Sequence, residues 1–146
     1  LVPISDIVTP NQFELEFLSN VRIRNIADIL RASKVIMGMG VKAVVLTSSY
    51  IEKDKVIIFC IDDNSSWLFK LPFLSTNNNG AGDLFSALLA YHLSSKKMDL
   101  MTSVKKAAKV CWSVINHSRK IEDLDIVNSL KKSLEDEINM HEERIY

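Results

Sequence analysis

Three short apolar runs, Val41–Leu46, Lys55–Ile61 and Trp67–Leu71, constrain the fold more than any other feature of the chain. They are rich in β-branched and aromatic residues and do not alternate with polar ones. Strands buried on both faces read this way, and they need helices to cover them. Helical patterns stand on either side. Asn11 with Glu14 three residues on has the spacing of a capping box ahead of Phe13, Leu15, Phe17 and Leu18. Asn25 precedes Ile26, Ile29, Leu30, Val35 and Ile36, with Gly40 as the stop. Ile4–Val8 reads as a strand end closed by Thr9-Pro10, because proline removes a donor and drives its neighbour to extended backbone. The turn residues Asp62-Asp63-Asn64-Ser65 make the second and third runs a hairpin.

Beyond a polar loop at Leu74–Asn79, the pattern predicts a buried helix over Gly80–Leu93 and a second one capped by Asp99 or Thr102, running through Val104, Ala107, Ala108, Val110, Cys111 and Val114. A charged amphipathic helix from about Glu122 to Glu143 is expected to close the chain. No repeat or linker interrupts this alternation, which predicts a single α/β layered domain.

With 47% hydrophobic and 25% charged residues over 146 positions, the chain can bury a core. Eighteen basic side chains against eighteen acidic ones leave a formal charge of zero, so no global field draws it to nucleic acid or to an anionic membrane. No apolar run reaches the length of a membrane span, and the first residues lack a signal peptide's basic and apolar regions, so a cytoplasmic location is expected. Cys60 and Cys111 lie singly in apolar runs and read as reduced core residues. His92, His117 and His141 share no metal-ligand spacing and read as surface or satisfied histidines. Starting at Leu1, with Leu1–Ile4 running into a strand end, the chain reads as part of a longer protein. Such a part would leave strand edges open, and self-association is expected of it.

The densest chemistry lies in Asn77-Asn78-Asn79-Gly80-Ala81-Gly82-Asp83. Two glycines deliver the chain into an apolar helix, whose first amides lack partners and whose macrodipole is positive there, so a phosphate can dock. A carboxylate at the fourth position places a proton acceptor beside that anion, as transfer of a phosphoryl group to an alcohol requires. The competing reading is a tight loop with Asp83 favouring the first turn electrostatically. No lysine and serine follow as in a Walker loop, and the third glycine of a dinucleotide fingerprint is missing. Thr9-Pro10-Asn11-Gln12-Phe13-Glu14 sits at a strand-to-helix junction, where α/β folds bind ligands; there Asn11 suits a phosphate and Glu14 a magnesium ion, with a plain capping box as the alternative. Thr47-Ser48-Ser49 adds hydroxyls at another strand end, which suit nucleotide phosphates, with ordinary turn residues as the alternative.

Taken together, "TPNQFELEFL" at Thr9–Leu18, "VVLTSS" at Val44–Ser49 and "NGAGDLFSALLA" at Asn79–Ala90 resemble the pyridoxal kinases of the ribokinase-like superfamily of carbohydrate and vitamin kinases. The resemblance runs along the whole chain but covers about half of a family enzyme. It implies a ribokinase-like three-layer α/β/α sandwich, with residues 1–146 forming its C-terminal, ATP-binding half. It implies ATP-dependent phosphorylation of the 5′-hydroxyl of pyridoxal, and of pyridoxine or pyridoxamine, in vitamin B6 salvage. Asp83 would be the catalytic base, and the amides of Gly80, Ala81 and Gly82 the anion hole. Asn11, Thr47, Ser48 and Leu74 would contact ATP, with Leu74 at the adenine. Glu14 would bind magnesium through water, a potassium ion would assist, and the full-length enzyme would be a homodimer. Ala81 stands where many of these kinases have threonine or valine, so a hydroxyl contact is absent while the backbone role is kept. A hydroxymethylpyrimidine or sugar kinase of the same superfamily, or a non-catalytic nucleotide-binding module, are the alternatives.

Overall fold

A computed structural model describes residues 2–75, 80–118, 125–133, 138 and 140–145. The chain divides into two compact units, Leu1–Lys70 with His141–Tyr146, and Leu71–Met140.

The first unit is built on a five-stranded sheet in the order β1-β2-β3-β4-β5, formed by Ile7–Val8, Ala43–Ser49, Lys55–Ile61, Ser66–Pro72 and His141–Arg144. β1 and β2 are parallel, with Ile7 opposite Ala43. A parallel pair needs a crossover, supplied here by helices α1 (Gln12–Ser19) and α2 (Ile26–Met37). β2 and β3 run antiparallel, in register from Val44 opposite Ile61 to Leu46 opposite Phe59, and shift before Ser49 pairs with Ile57. Asp62 makes the expected turn to β4 by accepting the Asn64 and Ser65 amides on Oδ1 at 2.8 and 2.9 Å. Leu15, Ile29 and Ile36 from the helices close over Val44, Leu46, Ile57, Phe59 and Leu68 from the strands, all of them buried. The three apolar runs are thus the interior strands, as their composition requires. Asn25 caps α2 by accepting the Asp28 amide.

The second unit packs α3 (Ala81–Ser94) against α4 (Leu100–His117), which is followed by α5 (Ile126–Ser133). Leu84, Phe85 and Leu89 of α3 and Val104, Ala107, Ala108, Cys111 and Val114 of α4 are buried. Asp99, not Thr102, caps α4: its carboxylate accepts the Thr102 amide at 2.9 Å, and this bond holds its carboxyl below the usual range.

Four expectations are corrected. The closing helix is replaced by the short α5 and by β5, which pairs antiparallel with β4, Trp67 opposite Arg144 and Lys70 opposite His141. Helical pattern lost there to the backbone groups along β4, which need a ladder partner that no local propensity supplies. The segment Ile4–Val8 is strand only at Ile7–Val8; before it, Val2–Ile4 makes a 3-10 turn. α2 ends at Gly38, and Gly40 serves the following turn at φ 103°. His117 and His141 are satisfied and exposed respectively, but both ring nitrogens of His92 are buried without a partner among the described residues.

Candidate functional site

The residues singled out from the sequence fall into two groups, one in each unit. In the first unit the strand-to-helix junction after β1 is built as a complete capping box. Asn11 Oδ1 accepts the Glu14 amide at 3.0 Å, and the Asn11 amide donates to Glu14 Oε2 at 2.9 Å. The alternative offered by the sequence is therefore realised. It does not exhaust either side chain, for the Nδ2 of Asn11 and the Oε1 of Glu14 keep their hydrogen-bonding capacity. Glu14 is exposed, and no cluster of three or more histidine, cysteine or acidic side chains forms a metal-holding group among the described residues. One carboxylate facing solvent suits a magnesium ion that keeps most of its waters rather than a protein cage.

The end of β2 is bonded to the same junction. The Thr47 amide donates to Pro10 O at 2.9 Å and its hydroxyl reaches the same oxygen at 3.4 Å. Ser48 follows, half-buried. Asn11, Glu14, Thr47 and Ser48 are brought together in this way at one end of the parallel β1–β2 pair, the end where α/β folds bind ligands.

Gln12 is given no role by the sequence beyond its place in the junction run, yet it organises this junction. Its Oε1 accepts the Ser49 hydroxyl at 2.8 Å and the Tyr50 amide at 3.3 Å. Its Nε2 donates to Glu16 Oε1 at 3.3 Å and reaches Ile23 O at 3.5 Å. Glu16 also accepts the Ile23 amide, the largest cause holding its carboxyl below the ordinary value. No spacing rule could have flagged Gln12, because its partners lie up to 38 residues away.

In the second unit Leu74 is half-buried in the segment after β4. Residues 76–79, including the three asparagines before Gly80, lie outside the described residues. Gly80 is the N-cap of α3 at φ 87°, a left-handed conformation that only glycine adopts readily, and among the described residues no side chain caps the helix. Among the described residues the first amides of α3 therefore have no side-chain acceptor, which is the condition for holding an anion. A Cβ built on Gly82 would meet nothing within 4 Å, so the space over that turn is open. Asp83 is exposed in the same first turn. An open, uncapped helix start with a solvent-facing carboxylate can bind phosphate oxygens on its amides and take a proton beside them.

Compared with known families, residues 1–127 match Phosphomethylpyrimidine kinase. The chain belongs to this family. Among curated relatives of this family member, a pyridoxal kinase PdxY of Rubrobacter xylanophilus is 38% identical over 96 residues, which are 63% of this chain and 33% of that protein. A pyridoxal kinase PdxY of Corynebacterium diphtheriae is 35% identical over 118 residues, 79% of this chain and 41% of its own. The chain thus spans less than half the length of these relatives. The crystal structure of Plasmodium falciparum PdxK with ligands AMP-PNP and PL is 28% identical, with a TM-score of 0.90 over 99% of this chain and 52% of that one. The α/β, ribokinase-like fold expected from the sequence is borne out by that match.

Proposed function

We propose that the full-length protein transfers the γ-phosphoryl group of ATP to the 5′-hydroxyl of pyridoxal, and of pyridoxine or pyridoxamine, in vitamin B6 salvage. The observation that carries this reading is the start of α3, uncapped among the described residues, where Gly80 stands at φ 87°, the space over Gly82 is open and Asp83 is exposed. It agrees with the ligands AMP-PNP and PL named for the PdxK structure and with the curated pyridoxal kinases.

Residues 1–146 are read as the C-terminal, ATP-binding part of one ribokinase-like domain. Asp83 accepts the proton of the attacking hydroxyl as the oxygen bonds to phosphorus and the bond to ADP breaks. The amides of Gly80, Ala81 and Gly82 stabilise the charge on the moving phosphoryl group, with donors fixed in place before the reaction. Asn11 contacts ATP phosphates with the amide nitrogen its cap leaves over, and Thr47 and Ser48 bind the nucleotide, with Leu74 at the adenine. Glu14 holds magnesium through water. Magnesium, when bound, neutralises phosphate charge; an assisting potassium ion, a homodimeric state and a cytoplasmic location are proposed on the family resemblance alone.

The test is phosphorylation of pyridoxal by the full-length protein, followed through the absorbance of the aldehyde product, for wild type and Asp83→Ala at saturating ATP and magnesium. Product from wild type, with a loss of roughly 10²-fold or more in the variant, is expected. Little change on substitution removes Asp83 as the base. A second reading, phosphorylation of a hydroxymethylpyrimidine, is favoured by the description of the matching family, and profiling both alcohols with one enzyme preparation separates the two.

A further inference from the structure

Two neighbouring residues of α4 reach back to the segment that leads into α3. The indole N–H of Trp112 donates to Pro72 O at 2.8 Å, and the thiol of Cys111 donates to Ala81 O at 3.4 Å. Pro72 is where β4 ends and Ala81 is where α3 begins, so the connection carrying Leu74 and Gly80 is held at both ends from one helix. We propose that Cys111 and Trp112 are positioning residues, which fix the two ends of this connection and thereby aim the Gly80–Asp83 turn; the inference rests on the phosphoryl-transfer reading above.

The chemistry of both groups suits this task. An indole nitrogen is a donor only, so it has no competing use at a carbonyl oxygen. Cys111 is 6% exposed, and burial pushes its thiol up to about 12, so it stays protonated and able to donate throughout the physiological range. A thiolate there could not bond Ala81 O. Bonding the carbonyls of Pro72 and Ala81 to one helix removes freedom that would otherwise blur the anion-binding amides and the carboxylate. Phosphoryl transfer depends mainly on such positioning, and misplacement by an ångström costs about a hundredfold.

The test uses the full-length enzyme with Trp112→Phe, Cys111→Ala, Cys111→Ser and Asp83→Asn, reading kcat and KM for pyridoxal below the melting transition of each variant. Trp112→Phe keeps an aromatic ring and removes the donor; Cys111→Ala removes the other donor with little loss of volume. Each is expected to lower kcat about tenfold with KM for the alcohol unchanged, and the double variant to lose less than the product of the two. Cys111→Ser keeps a donor and is expected to restore most of the rate, which a purely volumetric role would not produce. Unchanged kcat in both donor-less variants, with Asp83→Asn inactive, overturns the positioning role and leaves the kinase reading standing. Equal losses in Cys111→Ala and Cys111→Ser overturn the part assigned to the thiol bond. An active Asp83→Asn removes Asp83 as the base, and with it the aiming of that carboxylate; no product from the wild-type enzyme overturns the kinase reading, and the positioning role with it.

Discussion

Ser49, the last residue of β2, and Gln12, the first residue of α1, are joined by a 2.8 Å hydrogen bond across 37 positions of sequence. Ser49 is fully buried, so its hydroxyl has no water to fall back on. With the bonds of Thr47 to Pro10 O and of the Tyr50 amide to Gln12, this bond fixes the end of the strand that carries Thr47 and Ser48 to the start of the helix that carries Glu14.

Ser49→Ala removes one donor and leaves Gln12 Oε1 with the Tyr50 amide, and it is expected to cost about 1 kcal/mol. Gln12→Met keeps the length of the side chain but leaves the Ser49 hydroxyl buried and unpaired, and about 2 kcal/mol is expected. Urea unfolding of the two single variants and of the double variant reads the coupling directly. The double variant should lose about 1 kcal/mol less than the sum. Strict additivity would mean that the bond carries no stability, and that Gln12 acts through Tyr50, Glu16 and Ile23.

Gly82 and Gly80 separate stability from function on the same turn. A methyl group at Gly82 meets no neighbour within 4 Å, and alanine inside a helix is favoured over glycine by up to about 1 kcal/mol. Gly82→Ala is therefore expected to hold or raise the melting temperature. If phosphate oxygens sit against these amides, the same methyl keeps them away, and kcat for phosphoryl transfer should fall roughly tenfold or more. Gly80→Ala acts in the opposite sense: at φ 87° an L side chain costs about 1–2 kcal/mol, so the melting temperature should drop first. A Gly82→Ala enzyme with unchanged kcat would leave the amides of α3 without a part in the reaction.

Most of the architecture was legible in the sequence because it rests on local signals. Val44–Leu46 and Ile57–Ile61 are apolar on both sides of the pleat and became interior strands. Asn11, Asn25 and Asp99 cap helices by bonds to residues three positions on, which a spacing rule can find. Gly80 sits at a helix start because its left-handed backbone excludes most other residues. Failures share the opposite character. His141–Arg144 carries a helical pattern of charges but pairs with β4, a partner more than 70 residues earlier in the chain. Gln12, Cys111 and Trp112 bond across 30 to 40 positions, and their polar atoms look like ordinary helix residues until the chain is folded. The candidate site was read from residue types that suit phosphate and a proton, whereas the groups that hold it in place use common side chains in uncommon surroundings.

His92 departs furthest from the reading of its sequence and makes stability depend on pH. Its two ring nitrogens are buried without partners among the described residues, and its pKa lies below the ordinary value, first through burial and then through the charges of Lys106 and Lys96. The imidazolium form is thus disfavoured in the folded protein. An unfolded chain takes up this proton near pH 6.5, while the folded chain resists it until the pH is lower. Between those two values the unfolded state binds more protons, so stability rises with pH across that window. His92 consequently leaves stability intact above about pH 6.5 and erodes it as the pH falls toward the folded value. Replacement by leucine removes the titration and should flatten this part of the profile. Asp99 titrates in more acid solution, below the usual carboxylate value, and stays out of this range. Urea midpoints of wild type and His92→Leu, measured from pH 7.5 down to pH 5.5, should therefore diverge as acid is added, with wild type losing more. Parallel curves would mean that the ring finds water or a partner when protonated, and that opening around α3 costs less than its buried nitrogens imply.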